Sequence, residues 1–176
     1  FVSSLGIEPA FRLPALVFSL LSVIAMFGLG RAAFDERIGL IAAGLTAVLP
    51  VSVLEGVEAR GYSMMICFAA AMTWALLEAR RREQPWIWMA YSFLCALGIW
   101  SHFVTAFVPI GHGAWLAWRG VRHKEWKFFA CGFAALVLAA TITITLYAPM
   151  IPGMLAGRGI FAVRSADQPR ILGPEG

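Results

Sequence analysis

Six stretches of the chain carry no charged side chain, and short turns rich in polar and charged residues divide them. They run over 13–30, 38–54, 61–77, 86–100, 103–118 and 128–149. A helix of about 20 apolar residues crosses a hydrocarbon core ~30 Å thick at ~1.5 Å per residue, and most of these stretches fall a little short of that. Composition decides against buried helices of a soluble protein. Apolar residues make up 60% and charged residues 14%, where soluble domains have about 45–50% (a figure that includes Gly) and about 25%. A domain of 176 residues with a mean hydropathy of +0.77 cannot hide that surface, which has to face lipid. Soluble, disordered and collagen-like classes are excluded. The expectation is an all-α, polytopic transmembrane bundle of six spans.

The net charge of +4 does not point to nucleic acid, because the basic residues fall between apolar blocks and form no continuous patch. Their placement reads as topology. With the first span running inward, three turns face the cytoplasm. They carry Arg31 and Arg37, then Arg80, Arg81 and Arg82, then Arg119, Arg122, Lys124 and Lys127, nine of the fourteen basic residues. Arg12, Arg60, Arg158, Arg164 and Arg170 fall outside. This is the bias of the positive-inside rule. Trp86, Trp88, Trp100, Trp115, Trp118 and Trp126 sit at or near span ends, where an amphipathic ring favours the headgroup level.

Residues 1–149 thus read as one membrane domain, and 150–176, interrupted by Gly and Pro and charged by Arg and Asp, as an external loop. The first residue is Phe1, with no signal-peptide pattern after it, and a segment upstream is expected. Cys67, Cys95 and Cys131 each lie inside an apolar block and read as small core residues rather than a disulfide or metal framework. His112, between two glycines in mid-span, reads as a polar helix-packing residue.

Two external turns hold residues that membrane insertion does not need. One reads Glu55-Gly56-Val57-Glu58-Ala59-Arg60-Gly61-Tyr62, the other Trp100-Ser101-His102-Phe103. On a helical turn Glu55, Glu58 and Tyr62 share a face. The N-terminus of the third span, with the Arg60 guanidinium beside it, suits an anion such as a phosphate. Spacing alone leaves two readings open: this anion site, or a local Glu58–Arg60 pair with His102 as an ordinary boundary histidine. A divalent metal between Glu58 and His102 is conceivable, but two ligands are too few for a zinc site, and no cofactor is expected.

The run Val53-Leu54-Glu55-Gly56-Val57-Glu58-Ala59-Arg60-Gly61-Tyr62-Ser63 resembles the QEAR-x-Y turn of GT-C polytopic glycosyltransferases. These include the protein-mannosyltransferase-like family and bacterial relatives that modify lipid A or lipopolysaccharide core. Phe11-Arg12-Leu13-Pro14-Ala15-Leu16 is similar to the family's RLPS span start, with Leu29-Gly30-Arg31 at the far end of that span. Gly98-Ile99-Trp100-Ser101-His102-Phe103 resembles its G-x-Y/W-T/S-H-Y/F turn, and Pro149 with Pro152 its Pro-containing later span end. Gly56-Val57 stands where relatives commonly carry Ser-Gln, so Glu58 aligns with the motif's carboxylate.

The resemblance implies a sugar donor on a polyprenyl phosphate and a lipid, glycan or protein hydroxyl as acceptor, outside a bacterial plasma membrane. Twelve Arg against two Lys, with much Ala, fits a GC-rich bacterial genome. Arg60 and His102 would meet the phosphate, and Tyr62 would orient sugar or phosphate. Glu58, with Glu55 on its face, would orient Arg60 or the acceptor. The family's main catalytic base falls upstream of Phe1, so the 176 residues read as a core fragment. The competing class is a transporter or lipid flippase, which would need polar residues and broken helices at mid-bilayer; an accessory subunit is a third.

Overall fold

The computed structural model describes residues 8–48 and 62–153. Among these residues there are six α-helices: α1 Glu8–Ala33, α2 Glu36–Val48, α3 Tyr62–Arg82, α4 Pro85–Ser101, α5 Phe107–His123 and α6 Trp126–Tyr147. A 3₁₀ turn, Phe103–Ala106, joins α4 to α5, and another, Ala148–Met150, follows α6. No strand occurs among the described residues. The six helices correspond to the six expected spans. Leu13–Ala33, Tyr62–Arg82 and Trp126–Gly153 are long and apolar enough to cross a membrane. Among the described residues α2 has 13 and α4 and α5 have 17 each. The chain divides into two compact units, Phe1–Thr143 and Ile144–Gly176; all packing described below belongs to the first.

Turn chemistry fixes where the helices start and stop. Asp35 Oδ1 accepts the Ile38 N–H at 2.8 Å, capping α2. Pro85 opens α4, where its missing N–H costs nothing. Glu83 and Lys124 hold left-handed backbone (φ 52° and 57°) in the turns after α3 and α5, so each chain reversal takes only a few residues.

Packing relies on close approach where glycine allows it. A methyl group at Gly30 would stand 2.8 Å from Gly39 Cα. The backbones of α1 and α2 therefore cross in contact, as small residues permit in membranes. The core lies among α3–α6 and consists of Met72, Leu76, Tyr91, Cys95, Leu116, Ala135 and Ala139, flanked by Phe68, Trp88, Trp115 and Phe128. Ser92 Oγ lies 2.8 Å from Ala135 O on α6 and 2.9 Å from its own Trp88 O, so one proton serves two carbonyls.

Two expectations need correction. Cys131 is exposed, unlike buried Cys67 and Cys95; it lies on α6 beside Trp88 and Lys127, where lipid makes exposure of a small apolar residue inexpensive. Trp86, Trp100, Trp118 and Trp126 are exposed at helix ends, but Trp88 and Trp115 turn inward onto Phe128, at centroid distances of 5.4 and 5.7 Å. Their ring geometry favours the bundle over the interface.

The mid-span hydroxyls are spent locally. Ser22 donates to Ser19 O, Thr46 to Ala42 O, Thr73 to Ala69 O, Thr141 to Val137 O and Thr143 to Ala139 O. Each satisfies itself on the preceding turn of its own helix.

The basic turns gather at one end. Arg119 donates to Glu125 through Nε (3.1 Å) and Nη2, and Arg80 Nη2 reaches the same carboxylate at 3.3 Å. Lys127 Nζ donates to Glu83 at 3.1 Å, across the same two turns. A cavity of about 570 Å³, lined by Arg31, Asp35, Glu36, Glu78, Arg81 and Arg82 among others, puts the first basic turn beside the second. The hydrogen bond from Arg119 chiefly holds the Glu125 carboxyl below its ordinary value of 4.5, against an upward push from desolvation, with Arg80 adding to the lowering.

Candidate functional site at the Tyr62–His102 junction

The opposite end of α3 begins at Tyr62. Helix α3 runs from there to Arg82, ~30 Å at 1.5 Å per residue, and α4 returns the chain to His102. Tyr62, the last residue of one turn singled out in the sequence, meets His102 of the other there. The Tyr62 and His102 rings lie 5.4 Å apart with their planes tilted by 33°.

His102 is held from several sides. Its N–H donates to Gly98 O at 3.1 Å, ending α4, and its own carbonyl accepts from Thr105 N at 2.9 Å. Its Nδ1 accepts the Val104 N–H at 3.4 Å, capping the 3₁₀ turn. Ser101 Oγ donates to Gly98 O at 2.8 Å beside it. A backbone N–H aimed at Nδ1 requires a lone pair there, so in the neutral ring the proton sits on Nε2. The ring then presents Nε2–H as its donor, the polarity needed to meet an anionic oxygen.

Sequence reasoning missed two hydroxyls at this level. Ser63 Oγ and Thr105 Oγ1 are buried, each residue 2% exposed, and neither has a hydrogen-bond partner among the described residues. Leaving a buried hydroxyl unpaired costs about 1–3 kcal/mol. Ser63 follows Tyr62, and Thr105 stands three residues past His102. The only sequence signal was their adjacency to the two motifs.

Glu55, Glu58 and Arg60 lie outside the described residues. Of the expected site residues, the structure therefore places Tyr62 and His102, and it brings them together. Among the described residues no three His, Cys, Asp or Glu side chains gather as metal ligands. Cavities of about 360 and 500 Å³ lie elsewhere, around Glu83, Trp88, Lys127 and Cys131 at the arginine-rich end, and neither is lined by Tyr62 or His102.

An all-helical bundle with apolar spans, charges collected at one end and a Tyr–His junction at the other defines a polytopic integral membrane protein. The family model for dolichyl-phosphate-mannose-protein mannosyltransferase matches residues 6–147. The chain belongs to that GT-C-type family of membrane glycosyltransferases, which use a lipid-linked sugar donor. No curated protein and no solved structure matches it.

Proposed function

We propose that the chain moves a sugar from a polyprenyl-phosphate donor to a lipid, glycan or protein hydroxyl at the outer face of a bacterial plasma membrane. The observation that carries this reading is the Tyr62–His102 contact at 5.4 Å, because it brings together one residue from each of the two motifs whose residues suit a phosphate. The acceptor oxygen attacks the anomeric carbon, the bond from that carbon to the phosphate oxygen breaks, and negative charge develops on the lipid phosphate. Donors preorganised toward that charge lower the barrier. His102 supplies Nε2–H, and Arg60, two residues before Tyr62 in the chain, supplies a guanidinium that suits phosphate oxygens in pairs. Tyr62 orients the sugar or phosphate. Glu58, with Glu55 close to it in sequence, orients Arg60 or the acceptor and stands second to the family's main base as the group that takes the acceptor proton. The reading calls for no cofactor, and the apolar spans supply a surface for the prenyl chain.

The transporter alternative wants polar groups directed into a path at mid-bilayer. Mid-span hydroxyls instead bond to their own helices or to packed neighbours, as Thr73, Tyr91 and Ser92 do, and this spending of polar groups inside the packing supports chemistry at the membrane edge. The test is a paired assay on the full-length protein in proteoliposomes. Transfer of radiolabel from a polyprenyl-phosphate sugar to lipid or peptide hydroxyls, with no solute uptake, is the expected result; uptake without transfer would overturn it.

A further inference from the structure

His112 lies in the middle of α5, in Gly111-His112-Gly113, and its two ring nitrogens reach two other helices. Nε2 is 3.2 Å from Thr73 Oγ1 on α3, and Nδ1 is 3.1 Å from the Tyr91 hydroxyl on α4. Tyr91 is fully buried. The direction of every proton follows. Thr73 Oγ1 already donates its proton to Ala69 O at 2.7 Å, so it can only accept, and His112 Nε2 must carry the hydrogen. Nδ1 of the neutral ring then has a lone pair and accepts from Tyr91 O–H. The chain of donors runs from Tyr91 through His112 and Thr73 to Ala69 O, with every proton used. A polar residue this deep in apolar surroundings is costly unless it is paired in this way.

Its level in the bundle relates it to the outer junction. Thr73 lies eleven residues past Tyr62 on α3, and Tyr91 lies eleven residues before His102 on antiparallel α4. Both intervals correspond to ~16 Å of helix. The bond at His112 and the ring contact at Tyr62–His102 therefore lie in one register. The turn after Arg82 joins α3 to α4 at the arginine-rich end, a full helix length from the junction. Midway between, Cys95 Sγ donates to Met72 Sδ at 3.8 Å, and His112 adds side-chain bonds that join both helices to α5.

We propose that His112 is a positioning residue: its Nε2-protonated ring clamps α3 to α4 at mid-membrane and so sets the distance between Tyr62 and His102. Its link to catalysis rests on the function proposed above; its effect on the junction does not. The test uses the full-length protein in membranes with Cys67, Cys95 and Cys131 replaced, and Tyr62→Cys with His102→Cys as reporters for a short bis-maleimide. Only the monodisperse fraction after solubilisation is scored, so misfolded protein does not enter the yield. Loss of two interhelical hydrogen bonds shifts a local opening equilibrium on the order of tenfold. His112→Leu should lower cross-linking accordingly. His112→Gln, whose amide keeps one donor and one acceptor, should restore most of it. Unchanged cross-linking in His112→Leu, or equal loss in Leu and Gln variants, would overturn the proposal. The same two variants with Tyr62 and His102 intact are then assayed for transfer from dolichyl-phosphate mannose. A lower kcat/KM for Leu with rescue by Gln upholds both readings. Reduced cross-linking with normal transfer upholds the clamp and counts against the site.

Discussion

His102 closes α4 with its N–H, caps the following turn with Nδ1, and lays its ring against Tyr62. These roles can be separated. Asn at 102 keeps a side-chain acceptor for the Val104 N–H but has no ring and no Nε2–H. His102→Asn should therefore lose only the ring contact, about 0.5–1.5 kcal/mol, in a detergent melt while transfer falls. His102→Ala should lose the cap as well, at a further ~1 kcal/mol, and melt lower still. Equal transfer by His102→Asn and wild type would remove His102 from the phosphate. The short motifs made Tyr62 and His102 legible, because a polar group at a span edge stands out against apolar neighbours. Ser63 and Thr105 were not legible. A hydroxyl inside an apolar stretch reads as a helix-packing residue that bonds its own backbone, as Thr73 and Thr143 do, and only the fold shows two that do not.

At the scale of elements, the presence and order of the helices were readable, since charge-free runs and their basic turns mark them, while several described helix ends fall up to five residues from the ends of those runs. Which faces meet was not. Trp88 and Trp115 lie only two and three residues inside the span ends that Trp86 and Trp118 mark, and packing turns them onto Phe128. The turns at the arginine-rich end are held by charge and by strained backbone, and each offers a test. Lys124 keeps a left-handed φ of 57°, which costs a non-glycine residue about 1–2 kcal/mol, partly offset in a variant by the greater unfolded-state freedom of Gly. Lys124→Gly should raise thermal stability by about 0.5–1 kcal/mol; a lower melting temperature would show the strain estimate to be wrong. Glu125 has a carboxyl held below its ordinary 4.5 by Arg119 and Arg80. A lowered folded-state value means the contribution is complete above that pH and is lost as pH falls through the folded value. Glu125→Gln should thus melt below wild type at pH 7, with the gap closing in acid. A gap that persists at low pH would show that the charge is not what matters.

For the whole molecule, the three basic turns share one end and the Tyr62–His102 junction takes the other, which is the geometry that an inside-positive orientation requires. Single cysteines in an otherwise cysteine-free protein test the direction. Arg81→Cys and Lys124→Cys should be shielded from an impermeant thiol reagent added outside intact cells, while Ala166→Cys should react; labelling of Arg81→Cys would invert the orientation and move the junction to the cytoplasmic side. Composition made the membrane class legible, because no soluble packing could absorb so much apolar surface, whereas the meeting of Tyr62 with His102, forty residues on, depends on helix pairing that no local pattern encodes. The central claim is that these turns form a phosphate-stabilising site of a lipid-linked glycosyl transfer. It is tested most directly by the initial rate of sugar transfer from a radiolabelled polyprenyl-phosphate sugar by full-length protein in proteoliposomes, comparing wild type with Arg60→Ala and Arg60→Lys. Loss of one preorganised donor should lower the rate of Arg60→Ala by about 10²–10³-fold, with partial recovery in Arg60→Lys, which keeps the charge but not the planar fork. Wild-type turnover by correctly inserted Arg60→Ala protein would contradict it.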